Sequence, residues 1–205
     1  MITAAVLHGE TARRPRPVFI FDGHMTKTKV LRREFFDRPA PTVARDLLGK
    51  YLVRRLPAGR QVRDGGRLAL MITEVEAYEG WEDKASHASR GRTERNAPMF
   101  GPAGRWYVYF VYGIHWMLNV VTGAAGHPAA VLIRGLDGIS GPARLTKSLG
   151  IDRRLNGRAA LPREGLWIED RGVVLPPRRV GRGPRVGVAY AGDWAKKPYR
   201  YFLKT

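Results

Sequence analysis

The sequence predicts an α+β fold: one domain built on a curved, mostly antiparallel β-sheet, with flanking helices and a protruding β-hairpin. Three observations carry that expectation. Segments with strand alternation outnumber helical ones. The chain lacks the strand–helix–strand alternation that builds parallel sheets. Two aromatic runs, residues 106–112 and 115–120, flank Gly113 like the arms of a hairpin. With 205 residues, 44% of them hydrophobic, the chain can bury one sizeable core, and no mid-chain linker divides it.

Taken in order, residues 1–24 read as a basic extension, expected to be disordered. Arg13, Arg14 and Arg16 stand among Pro15 and Pro17, and the apolar patch at residues 18–21 is too short for a signal-peptide core. Met25 resembles a second start, and the domain is expected to occupy residues 25–205, beginning near Leu31 with Phe35 and Phe36 as anchors. Pro41 and Thr42 open a helix through Ala44, Leu47 and Leu48 that Gly49 stops. A strand over residues 51–53 follows, then turns at residues 57–59 and 64–66. Residues 71–78 alternate as a strand, which places Glu74, Glu76 and Tyr78 on one face. A polar passage, residues 81–95, holds His87 and the basic cluster Arg90, Arg92 and Arg95, and residues 101–104 bend the chain before the aromatic strands.

The hairpin register follows from parity. If Tyr109 and Asn119 share a face, paired residue numbers must sum to an even value. A loop of residues 112–114 achieves this, pairing Val111 with His115 and Tyr109 with Met117 and leaving Tyr112 at the tip. Beyond the hairpin, residues 130–133 form a buried-type strand that delivers Arg134. Ser140, Gly141 and Pro142 start a helix through Leu145 and Leu149. Residues 152–163 form a basic loop, residues 166–168 and 185–188 are expected strands, and residues 176–179 between them are extended. Residues 194–202 close the domain with aromatics among Lys196, Lys197 and Arg200.

Charge narrows the partner. Lys and Arg number 36 against 18 for Asp and Glu, a net charge of +18. Such an excess favours a polyanion, because basic groups gain affinity by releasing counterions from phosphates. Nucleic acid leads. A membrane surface is the weaker partner, since the chain has neither a long apolar run nor a basic amphipathic helix. The absence of cysteine removes disulfides, thiolate nucleophiles and Cys-ligated zinc, and a cytosolic setting fits.

Several residues carry a chemical and a bland reading side by side. Glu74 and Glu76 could be ordinary exposed strand carboxylates. Together with Glu82, Asp83 and His87 they could also ligate Mg²⁺ or Mn²⁺, although the spacing matches no carboxylate metal motif. A single histidine such as His87 is more often structural than catalytic. Tyr112 differs from its neighbours: a large aromatic on a hairpin tip has no core to fill and reads as a contact residue. Asn119 among apolar neighbours is either a structural bridge or a reader of a ligand edge. Arg134 on an apolar strand needs a carboxylate or phosphate partner.

The motifs, in order, are Glu74-Val75-Glu76-Ala77-Tyr78, His87, Arg92-Thr93-Glu94-Arg95-Asn96 with Met99-Phe100-Gly101-Pro102, Tyr107-Val108-Tyr109 through Tyr112-Gly113 to Asn119, Val131-Leu132-Ile133-Arg134, Gly141-Pro142-Ala143-Arg144-Leu145, and Arg185-Val186-Gly187-Val188. In this order they resemble the alkyladenine (3-methyladenine) DNA glycosylase family, over nearly everything except the amino-terminal extension. The resemblance implies Glu76 as the general base that activates water, assisted by Arg134 and the main-chain carbonyl of Val186. It implies Tyr78, His87 and Tyr109 around the extruded base, Asn119 refusing normal guanine, and Tyr112 wedged into the gap in the DNA. Arg92, Arg95 and Arg144 are expected on the DNA backbone. The sequence departs from the family pattern in three places: Glu94 where proline is usual, Ile114 in place of methionine beside the wedge, and no helical insertion between Arg134 and Gly141.

These residues suit the chemistry. A base inside duplex DNA must swing out at a cost of a few kcal/mol, and Tyr112 can offset that cost by filling the vacated stack. Alkylation at N3 or N7 makes a purine cationic, and tyrosine faces hold a cation better by about 0.5–2 kcal/mol. The charged purine is already a good leaving group, so a carboxylate that stabilises the sugar cation and deprotonates water suffices. No cofactor and no metal are expected. The stretch offers no lysine nucleophile except Lys84, so the expected enzyme is monofunctional. The expected partner is double-stranded DNA containing damaged purines, with no membrane, no protein partner, a monomeric state and a cytoplasmic, nucleoid-associated location. The preferred lesion stays open. A non-catalytic nucleic-acid-binding module is the second reading, and a metal-dependent nuclease the third.

Overall fold

A computed structural model describes residues 28–56 and 66–204. The expected basic extension and the turn at residues 57–59 lie outside these residues, as do Asp64 and Gly65.

The fold is an α+β single domain whose main sheet runs β1 (Lys29–Val30), β8 (Leu166–Asp170), β2 (Tyr51–Arg55), β3 (Arg67–Glu79), β6 (Ala129–Leu136), β5 (His115–Val121) and β4 (Trp106–Val111). Every pairing is antiparallel. The 13-residue β3 organises the rest. Its first part pairs with β2 through residues 67–71, and its second part pairs with β10 (Arg200–Leu203) through residues 74–76. β6 lies along its other edge, with register shifts on either side of Glu74. Such bulges bend a strand and increase its twist, so β3 can belong to β2 at one end and to β10 at the other. Two short strands complete the set: β7 (Ile139–Ser140) on β6 and β9 (Val180–Gly183) on β10.

Two helices cover one face of this sheet. In α2 (Ala40–Leu47), after the short α1 (Arg33–Phe36), the buried residues Ala40, Val43, Ala44 and Leu47 recur at helical spacing, and Gly49 follows in the left-handed conformation at φ 79°. α3 (Pro142–Leu149) starts after Gly141, also at positive φ, and buries Leu145 and Leu149. Both helices join one core with Val75 and Ala77 of β3, Trp106 and Val108 of β4, Leu118 and Val120 of β5, and Val131 and Ile133 of β6. Truncating Leu47 to Ala in such a core costs about 2–5 kcal/mol. Alternation turns the intervening residues to the opposite face, where Tyr107, Val121 and Ala130 pack with Ala88 and Met99 as a smaller cluster. The functional side chains stand on that face.

The hairpin register is the expected one: Val111 pairs with His115 and Tyr109 with Met117. Tyr112 and Gly113 both take positive φ, 53° and 67°, and Tyr112 is the only non-glycine to do so among the described residues. Two expectations fail. Residues 185–188 are not a strand but a turn through Gly187 at φ 76°. The expected strand at residues 166–168 is β8, and the strands after it are β9 and β10, with α4 (Asp193–Lys196) before β10. The left-handed Gly187 reverses the chain there and breaks the extended run. Residues 176–179, expected to be extended, coil as a 3₁₀ turn over Pro177–Arg179, which proline's fixed φ favours.

Candidate active site

Glu76 forms the floor. Its side chain is fully buried, at 0% exposure, and the pocket above it holds about 250 Å³. The Val186 amide donates to Oε1 at 2.8 Å and the Tyr78 hydroxyl donates to Oε2 at 2.9 Å. Arg134 Nε lies 3.5 Å from Oε1, but its closer partner is Glu74 at 3.1 Å, which Arg200 also reaches at 3.3 Å. Arg134 therefore has the carboxylate partners its apolar strand requires. Burial raises the pKa of Glu76, opposed by Arg134, the Val186 amide and the Tyr78 hydroxyl, while Glu74 adds to the rise. Arg134 thus acts to keep Glu76 ionised, but burial outweighs it. Tyr78 is held well above 10, by burial first and then by Glu76, so its phenol keeps the proton it donates.

The walls are aromatic. His87 Nδ1 lies 3.0 Å from the Tyr107 hydroxyl, and the His87 ring meets Tyr109 edge-on with centroids 4.6 Å apart. Burial, then Arg95, lowers the His87 pKa and favours the neutral imidazole. Tyr109 is pushed up to about 12 by burial. Asn119, 3% exposed, donates to the Tyr107 carbonyl at 3.1 Å, so its amide bridges the hairpin strands and also lines the cavity. Asn96 fastens the arginine-bearing loop to this wall: it donates to the carbonyls of His87 and Gly91 and accepts from the Thr93 amide.

At the mouth, Tyr112 is 87% exposed and Ile114 67%. Arg95 donates to the Phe110 carbonyl at 2.7 Å and lies over the Tyr109 ring at 5.3 Å. Arg92 lies over Phe100, which packs on Trp81. Arg144 is exposed in the first turn of α3.

One pocket therefore gathers Glu76, Tyr78, His87, Tyr109, Tyr112, Asn119, Arg134 and Val186. Arg92, Arg95 and Arg144 stand outside it. Val186 contacts Glu76 through its amide.

Sequence reasoning missed Met99, Val188 and Tyr190, which also line the cavity. It also missed the partner of Asp83. That residue, weighed as a metal ligand, is paired with Arg185, both side chains fully buried. Among the described residues no group of three or more His, Asp or Glu is placed to hold a metal ion, and no helix is long and apolar enough to cross a membrane.

A buried carboxylate under a small aromatic pocket, with an exposed tyrosine at its mouth on a chain of net charge +18, is an arrangement suited to hydrolysis at one planar ring presented by a polyanion. Comparison with known proteins gives the same class. Residues 34–205 match the family model of methylpurine-DNA glycosylase (MPG). The chain is 45% identical over 196 residues to a putative 3-methyladenine DNA glycosylase of Methanocella arvoryzae, covering 86% of this chain and 93% of that protein. A relative of the same description from Myxococcus xanthus is 44% identical over 184 residues, 85% of this chain and 90% of its own. The human DNA-3-methyladenine glycosylase is 37% identical over 212 residues, 89% of this chain and 67% of that protein. The chain belongs to the methylpurine-DNA glycosylase family.

Proposed function

We propose that this chain is a DNA-3-methyladenine glycosylase of base excision repair, which flips a damaged purine out of duplex DNA and hydrolyses its N-glycosidic bond. The position of Glu76 carries this reading: it is the carboxylate at the floor of an aromatic pocket, held by the Val186 amide, the Tyr78 hydroxyl and Arg134. A passive nucleic-acid binder gains nothing from burying a carboxylate where a polyanion docks.

In the proposed reaction the electron pair of the glycosidic bond leaves with the purine nitrogen. Water adds to the sugar carbon, and Glu76 takes the proton that water loses. An alkylated, cationic purine departs neutral and needs no further proton. Tyr78, His87 and Tyr109 enclose the extruded ring. Neutral His87 and protonated Tyr78 bring no charge that would repel a cation. Tyr112 fills the gap left in the stack, Asn119 screens out normal guanine, and Arg92, Arg95 and Arg144 meet phosphates. The enzyme acts as a monomer on damaged purines in nucleoid DNA. Among the described residues no lysine lines the pocket, which fits water rather than an amine as nucleophile, so the product is an abasic site and not a nicked strand.

The test is incubation with an alkylated duplex in EDTA. Free methylated purines should appear, with strand breaks forming only after alkali. Base release that EDTA abolishes, or trapping of a covalent enzyme–DNA adduct by borohydride, would overturn this mechanism.

A further inference from the structure

We infer that the buried Asp83–Arg185 pair sets the charge preference of the pocket: Asp83 neutralises the guanidinium that backs the Tyr78 ring, and so lets that ring hold a cationic purine in preference to a neutral one. The inference rests on the reading of this pocket as the seat of a flipped base.

Arg185 engages both Asp83 oxygens, one through Nη1 and the other through Nη2 at 2.8 Å. It also donates to the carbonyls of Ala77 and Trp194, at 2.8 and 3.2 Å. The Asp83 carboxylate accepts, in addition, the amides of Glu79 and Ala85, both at 3.1 Å. The Asp83 carboxylate accepts four hydrogen bonds in all, and its charge offsets that of the guanidinium it grips.

The guanidinium carbon sits 4.7 Å from the centroid of the Tyr78 ring, yet Arg185 does not line the pocket, whereas Tyr78 does. The negative face of an aromatic ring attracts cations, and Arg185 already occupies one face of Tyr78. A cationic base on the remaining face feels the same ring and also the charge behind it. A base stacked at about 3.5 Å on the far side would lie about 8 Å from the guanidinium, given the 4.7 Å already measured. The Asp83 counter-charge, which grips both Nη atoms of the guanidinium, offsets that repulsion.

Burying an ion pair is costly, and well-packed apolar residues of similar volume are often at least as stabilising. Packing alone therefore gives little reason for a pair here. The other link, from Asp83 through the Ala85 amide to the loop that carries His87, is structural and would affect every substrate alike. Charge and scaffold thus make different predictions for different lesions.

The experiment measures kcat/KM for a duplex carrying 7-methylguanine, cationic, and for one carrying hypoxanthine, neutral, with the same preparation of each full-length variant. The ratio of the two cancels the fraction of enzyme that is folded, so partial misfolding cannot imitate the effect. Asp83→Asn should lower the cationic-to-neutral ratio by a factor on the order of 10 to 30, the repulsion of two unit charges about 8 Å apart at an effective dielectric of about 20. The double variant Asp83→Asn/Arg185→Gln, neutral again, should return the ratio towards the wild-type value. If Asp83→Asn lowers both rates together and leaves the ratio unchanged, the pair is only a scaffold and the inference is wrong. A wild-type enzyme that releases base from neither duplex overturns the glycosylase reading itself, and this inference with it.

Discussion

Tyr112 joins strain and exposure in one residue, and replacing it by glycine should separate stability from activity. At φ 53° its backbone lies where a side chain costs about 1–2 kcal/mol, and with 87% of its surface exposed it recovers little by burial. Glycine removes the strain but loses about 0.5–1 kcal/mol through its greater freedom in the unfolded chain. Tyr112→Gly should therefore be neutral to about 1.5 kcal/mol more stable. For a protein of this size that is a rise in Tm of up to about 6 °C. Excision should move the other way. Stacking against an aromatic side chain is worth about 1–3 kcal/mol per base, so losing the wedge should lower single-turnover excision by about 5- to 150-fold. Tyr112→Phe, which keeps the ring, should match the wild type in both. Thermal unfolding and single-turnover base release on the same lesion-containing duplex read the two quantities. A glycine variant clearly less stable than the wild type would remove the strain argument, and one with full excision would remove the wedge.

Three further outcomes follow from the same geometry. Burial holds the native pKa of Glu76 above its unfolded value, near 4.5. Wild-type stability should therefore fall as pH rises from the unfolded pKa through the native one. Glu76→Gln lacks this loss, so chemical denaturation should show the variant gaining on the wild type across that window; a difference independent of pH would contradict the burial argument. Binding to duplex DNA should weaken with salt at a log–log slope near −0.9 per phosphate contacted, and removal of Arg92, Arg95 or Arg144 should each flatten it by about that amount. Unchanged slopes in all three variants would place the phosphate contacts elsewhere. Deleting residues 1–23 should leave base excision intact, and a truncated protein that fails to fold would show that this stretch belongs to the domain.

Much of the site was legible because it lies on strands, where period 2 fixes which side chains share a face. Glu74, Glu76 and Tyr78 do converge, and with Tyr109 and Asn119 placed on one face, parity required an odd hairpin loop, of which 112–114 is the one formed. Residues 185–188 were misread because apolar residues around a glycine look alike in a strand and in a turn. Only the fold shows that Gly187 is left-handed and that the Val186 amide is spent on Glu76. The bond between Asp83 and Arg185 spans 102 positions in sequence. No local pattern announces such a pair.

The central claim is that Glu76 takes the proton from water. The most direct measurement is base release by Glu76→Gln in EDTA under single-turnover conditions, beside its affinity for a duplex carrying an abasic analogue. Removing a general base should lower the rate by about 10²–10⁴-fold, while affinity for the analogue stays close to that of the wild type, because the amide keeps the shape of the carboxylate and only its ability to accept the proton is lost. Release at near wild-type rates would contradict the account and assign the base to Glu74 or to another acid.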